Sequence, residues 1–159
     1  MRVYCDLTGE TRCIGILPHP GTELILTGTE VHTEPENYRD LPLAKILAER
    51  CDVHFFFGTD RTRPPFYTVP RSTVFARDSR GGYFITPEAA ALDWSEPIFY
   101  INADRIFRLS PMGASLADMG MAWRETMLPC AEFEIFPDAA AAKKVYDIRT
   151  FQQLMEDKP

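Results

Sequence analysis

No CxxC pair, no HExxH and no HxH occurs in this chain of 159 residues, which holds four cysteines and three histidines in all. The common zinc and dithiol signatures, which need their ligands at those spacings, are therefore missing. His19, His32 and His54 share no metal-ligand spacing, and neither a metal nor another cofactor is expected. The phosphate-cradling patterns GxGxxG and GxxxxGKS/T are missing as well. Nor is there a long apolar run: the stretch from Val53 to Phe57 contains His54 and falls far short of the ~18 residues that a membrane span requires. Met1 to Gly9 mixes polar and charged side chains, Asp6 among them, where a secretory leader would show a basic flank and an apolar stretch. We expect a cytoplasmic chain that makes no contact with a membrane.

Excess positive charge is also lacking. Seventeen Lys and Arg stand against 23 Asp and Glu, a formal net charge of -6. Such a balance argues against general affinity for nucleic acid, which is driven by clustered cations releasing counterions from phosphates. It suits a basic partner protein, or serves solubility alone. One segment reverses the balance: Arg61, Arg63, Arg71, Arg77 and Arg80 face only Asp78 and are interleaved with Phe66, Tyr67 and Phe75. That interleaving is shared with single-stranded nucleic-acid surfaces, but a basic strand edge more often protects the edge or pairs with acidic neighbours. No nucleic-acid partner is expected.

What is present reads as one domain, 1–159, of the α+β class, with an antiparallel or mixed sheet and a few covering helices. Apolar residues at 45% and charged residues at 25% are ordinary for a folded chain of this length. Val3 to Leu7 and Cys13 to Leu17, joined by Thr8 to Thr11, suggest a hairpin, and Leu24 to Thr27 with Thr29 to Val31 extends it into a small meander. Ala44, Leu47, Ala48 and Cys51 recur at helical spacing behind Pro42, which predicts a helix over Leu43 to Cys51. Val53 to Phe57 follows as a β-prone run, expected to be an interior strand. Phe66 to Val69, Ser72 to Ala76, Tyr83 to Thr86, Pro97 to Ile101 and Ile106 to Leu109 are further strands. Turns at Asp78 to Gly82 and Asn102 to Arg105 predict one antiparallel meander over Thr68 to Leu109. Pro87 to Leu92 is either a helical turn or a loop.

Ser115 is expected to cap a helix whose Leu116, Met119 and Trp123 share a face, with Gly120 weakening its middle. Glu132 to Phe136 alternates like a strand, Asp138 caps an Ala-rich helix reaching Val145 or Tyr146, and Ile148 to Met155 is expected to be a last short helix.

The remaining candidates for chemistry have bland counterparts. Cys5, Cys13, Cys51 and Cys130 read as reduced core thiols, with a Cys5 to Cys13 bridge across a hairpin as the alternative. Cys13 with His19 or His32 is a thiol and base pair only if the fold unites them. His54 in its aromatic run reads as a core or edge residue. Gly81 and Gly82 supply the positive φ angles of a tight turn, since a strand follows where a phosphate loop needs a helix. A more distinctive feature is the acidic and aromatic region of Asp93, Trp94, Glu96 and Asp104, with Asp118 nearby in sequence. Trp anchors and acidic side chains together suit a basic protein partner, and Asp93, Trp94, Glu96 and Asp104 are the expected binding residues.

The stretch Val74-Phe75-Ala76-Arg77-Asp78-Ser79-Arg80-Gly81-Gly82-Tyr83-Phe84-Ile85, then Pro97 to Ile101, then Ser115-Leu116-Ala117-Asp118-Met119, resembles the SUKH superfamily of Smi/Knr-like domains. Pro35-Glu36-Asn37-Tyr38 is similar to that family's Pro-Glu-x-Tyr helix start, although Pro42 follows closely and Met1 to Val31 is strand-like where the family has a helix. The resemblance covers roughly half the chain. It implies an α+β domain without catalytic residues, commonly a bacterial immunity protein that binds and blocks a toxin. Two other classes stay open on the sequence: a small enzyme using Cys13 or a histidine from the N-terminal meander, and a structural or regulatory homo-oligomeric subunit.

Overall fold

Strand runs bounded by Gly, Pro and Asp divide the chain into short elements, and the computed structural model describes them over residues 2–7, 21–58, 63, 65–87, 97–109, 113–150 and 152–153. In chain order these are β1 (Arg2–Asp6), β2 (Glu23–Thr27), β3 (Thr29–Val31), α1 (Pro42–Ile46), β4 (His54–Phe55), β5 (Tyr67–Val69), β6 (Ser72–Arg77), β7 (Tyr83–Thr86), β8 (Phe99–Asn102), β9 (Arg105–Arg108), α2 (Gly113–Met119), β10 (Leu128–Pro129), β11 (Glu134–Phe136), α3 (Ala139–Lys143) and β12 (Ile148–Thr150). A 3-10 turn over Glu36–Asp40 precedes α1, a π-helical turn over Leu47–Cys51 continues it, and a 3-10 helix over Gly120–Thr126 continues α2. The class is α+β, with mixed and antiparallel sheets.

The main sheet runs β10-β9-β8-β7-β6-β3, with β4 also paired to β6. From β6 to β9 it is the expected antiparallel meander, turned at Asp78 to Gly82 and at Asn102 to Arg105. Both faces are covered, so the strands read as continuous apolar runs rather than alternating ones. On one face Phe84 and Tyr100 pack with Leu47, Cys51, Leu116 and Trp123, which hang from the helical segments. On the other, Ile85, Phe99 and Ile101 pack with Phe56, Phe66 and Phe133. The face predicted for the first helix is the one that enters this core: Leu47 and Cys51 are fully buried, and Ala44 and Ala48 are half-buried. Asp138 caps α3 as expected, its carboxylate accepting from the Ala141 amide at 2.8 Å.

Several expectations are corrected. β2 and β3 form no meander: Gly28, at φ 112°, separates them into two sheets, where β2 runs parallel to β1 and β3 runs parallel to β6. β1 has parallel neighbours on both sides, β2 and β12, in place of a hairpin partner, and Thr8 to Leu17 lies outside the described residues. Val53 to Phe57 is no interior strand. β3 already occupies the edge of β6 at Ser72 to Val74, which leaves β4 two residues against Arg77 and Ala76. β5 departs from the meander and pairs with β11, forming a separate two-stranded ribbon. The α2 helix begins at Gly113, so Ser115 lies within its first turn, and Gly120 at φ 57° ends it. Ile148 to Thr150 is a strand, because its apolar residue is used against β1; of the expected helix, Gln152 and Gln153 are helical, and residues 151, 154 and 155 lie outside the described residues. Of the Pro87 to Leu92 segment, residues 88–92 lie outside the described residues.

The ribbon is tied to the small parallel sheet by polar groups. The buried Tyr67 hydroxyl donates to Asp6 at 2.7 Å and lies 2.8 Å from the Thr27 hydroxyl. Tyr67, Val69, Ala142 and Ile148 form a third apolar cluster beneath it.

Candidate functional site

Of the four expected binding residues, Asp93, Trp94 and Glu96 lie outside the described residues, and Asp104 lies in the β8–β9 turn. Asn102 and Arg105 are paired across this turn, so Ala103 and Asp104 form its two-residue tip. Ala103 takes a positive φ of 56° to make the reversal. Asp104 is exposed and, among the described residues, its side chain makes no ion pair. The guanidinium of neighbouring Arg105 sits 5.0 Å from the Phe107 ring centroid, on the face that those two residues share by strand alternation.

Asp104 stands at the rim of a 370 Å³ cleft whose walls come from four other places in the chain. Phe66 leads into β5, Tyr83 opens β7, Ile101 belongs to β8, and Ile135 and Phe136 belong to β11. The cleft exists because β5 leaves the meander: its ribbon with β11 stands beside the end of the main sheet. The Phe66 and Tyr83 rings meet edge to face, 5.5 Å apart at 71°. Among the described residues no Lys or Arg lines the cleft, so Asp104 is its charged group.

A second polar centre lies on the other face of the sheet. Asp78 is buried in the β6–β7 turn, where one carboxylate oxygen accepts from the amides of Arg80 at 3.0 Å and Gly82 at 2.7 Å. Its other oxygen accepts from the Tyr100 hydroxyl at 2.5 Å and from Arg124 at 3.1 Å. The same Arg124 nitrogen donates to Asp52 at 3.0 Å, and the guanidinium lies 4.3 Å from the Trp123 ring centroid. Asp52 follows the first helical segment at φ 58° and also binds the Ser79 hydroxyl at 2.7 Å and His54 Nε2 at 2.8 Å. Burial alone would raise the pKa of Asp52, but hydrogen bonds from Ser79 and His54 outweigh it and hold the group down to about 2.

This arrangement has the residue types of a hydrolase but not their connectivity. A nucleophilic hydroxyl must give its proton to a base, and that base must be oriented by a third group. Here Ser79 and His54 both turn to the same carboxylate, so neither activates the other. Asp52 is spent as an acceptor, and the network joins the end of a helix, a hairpin turn and the 3-10 helix.

The other candidates are dispersed. Cys13 and His19 lie outside the described residues, and His32 Nε2 is 3.2 Å from Glu34 Oε1. Burial pushes the thiols of Cys5, Cys51 and Cys130 up, away from the reactive thiolate. Arg71 of the basic segment is paired with Glu30. Among the described residues no three His, Cys, Asp or Glu side chains are grouped to hold a metal, and no helix is long and apolar enough to cross a membrane.

Sequence reasoning singled out Asp78 only as a turn residue and missed Asp52 and Arg124. Asp52 has one signal, a short polar residue just after a helical run, where the left-handed conformation is common. Arg124 has none beyond following a helical Trp. No protein-family model, curated protein or solved structure matches the chain.

Proposed function

We propose that this chain is a non-catalytic binding protein of the bacterial toxin-immunity type, which blocks a basic partner protein through the acidic region around Asp93, Trp94, Glu96 and Asp104. The observation that carries the reading is the exposed Asp104 carboxylate, which makes no ion pair among the described residues, at the rim of an apolar cleft. Interfaces place an apolar centre inside a polar rim, and an unpaired charge at the rim steers an oppositely charged partner. The net charge of -6 extends that attraction over the whole molecule. The resemblance to Smi/Knr-like domains supplies the immunity role. The separation of Ser79 and His54 onto one carboxylate favours binding over catalysis at the polar centre.

The test pairs the chain with any toxin-like domain that its gene neighbourhood encodes. Co-expression is expected to abolish that domain's toxicity. The variant D93N/E96Q/D104N is expected to slow association about threefold to tenfold at low salt, with the difference shrinking as salt rises. Unaltered association across the salt series would remove the acidic region as the binding surface, and undiminished toxicity would remove the immunity role.

A further inference from the structure

The cleft beside Asp104 has a composition that restricts what can enter it. Among the described residues its walls are aromatic and aliphatic, its charged rim group is a single carboxylate, and that carboxylate makes no ion pair. A phosphate would meet like charge there, and a metal ion would find one carboxylate where a hard cation takes several oxygen ligands. A neutral apolar side chain would fill the walls while stripping water from Asp104 without repaying it. A cation on an apolar stem satisfies both parts.

We propose that this cleft is an arginine or lysine site, receiving one basic side chain of the partner with Asp104 as counter-charge and Phe66, Tyr83 and Phe136 as its aromatic walls. The proposal deepens the binding reading above and rests on it for the identity of the partner as a basic protein. Ring faces attract cations through their quadrupole, and the attraction strengthens as water is excluded. Tyr83 and Phe136 are half-buried and leave ring surface accessible, while Phe66 is buried and packs edge to face against Tyr83. Guanidinium is the better fit, because it is planar, weakly hydrated and stacks on aromatic faces while reaching a carboxylate at its edge. Arg105, the nearest cation in sequence, is directed towards Phe107 and leaves the position to an incoming group. At 370 Å³ the cleft lies near the lower end of the range for small-molecule sites, a size for one side chain and its flanking backbone.

The test uses small probes, so it does not depend on having the partner. The isotope-labelled chain is titrated with Nα-acetylarginine methylamide, with its lysine counterpart, and with the citrulline counterpart, which keeps the shape of arginine and loses the charge. The amides of Gly81, Tyr83, Ala103, Asp104 and Ile135 are expected to shift saturably with arginine, more weakly with lysine, and about tenfold more weakly with citrulline. Asp104→Asn lies in an exposed turn and is expected to reduce arginine binding to the citrulline level. Tyr83→Leu keeps apolar bulk, loses the ring, and is expected to weaken arginine about threefold. Equal binding of arginine and citrulline, or arginine binding unchanged in Asp104→Asn, would overturn the cation site. The partner's association rate with the triple acidic variant answers the separate question, so a cleft that takes arginine and a partner that ignores the acidic region would be told apart.

Discussion

Gly82 packs directly against the Tyr100 side chain, so that a β-carbon at position 82 would overlap the hydroxyl and two ring carbons of Tyr100. The contact allows Asp78 to accept the Gly82 amide and the Tyr100 hydroxyl together. Gly82→Ala is therefore expected to destabilise the chain by about 3 kcal/mol, at the upper end of ordinary overpacking. Adding Tyr100→Phe should not rescue it, because the ring carbons remain in the way. Urea unfolding of the single and double variants checks both statements, and a near-neutral Gly82→Ala would contradict them.

Arg124 joins two carboxylates, one of them with a fully buried side chain. Arg124→Met should cost about 3 to 5 kcal/mol, because Asp78 would then be left as a buried charge without its cation. Removing that charge as well, in Asp78→Asn with Arg124→Met, should cost less than the sum of the single changes. A double-mutant cycle by chemical denaturation measures the coupling. Strict additivity would mean that the contact carries no energy.

Asp52 makes stability depend on acid. Its folded pKa, held at about 2, lies below the unfolded value of ~3.9, so the folded state favours the ionised form. Its contribution, roughly 2 kcal/mol, is fully present above pH ~4 and is lost as the pH falls through about 2. Asp52→Asn lacks this dependence on acid. The stability gap between wild type and Asp52→Asn is expected to narrow as the pH falls from ~4 to ~2, read from urea midpoints across that range. A constant gap would show that Asp52 is not held ionised by its neighbours.

Ala103 adopts a left-handed φ at the tip of the β8–β9 turn, where a β-carbon carries a steric penalty. Ala103→Gly should stabilise the chain by about 0.5 to 1 kcal/mol, with part of the relief offset by glycine's greater freedom when unfolded. A rise in the thermal midpoint would agree with this, and a fall would place the strain elsewhere.

The meander was legible because its signals are local. Asp78 to Gly82 and Asn102 to Arg105 stand beside the strands they reverse, and Asp138 stands beside the helix it caps. The parallel pairings were not legible, because nothing within Val3 to Leu7 or Ile148 to Thr150 names a partner so far away. Ile148 to Met155 satisfied a helical pattern equally well until β1 claimed its first residues. The candidate site divides in the same way. Asp104 announced itself as an acidic turn residue, whereas the walls of its cleft arrive from the approach to β5 and from β7, β8 and β11. Asp52 and Arg124 are 72 residues apart, a pairing that only the folded chain reveals.

The placement of β1 between β2 and β12 bears on the order in which the chain assembles. Tyr4 lies in register with Ile25 and also with Ile148, so the small sheet cannot close until segments far apart in sequence have been brought together. Hairpins such as β6–β7 and β8–β9 need only short loops to close, and loop closure limits how soon distant contacts can repay their entropy. The meander is expected to become protected first, with the β1 amides following it in pulse-labelled hydrogen exchange. Simultaneous protection of both would mean that β1 and β12 meet before the hairpins are secure. Because Tyr67 links β1 and β2 to the ribbon that walls the cleft, that side of the cleft would be the last part of the molecule to mature.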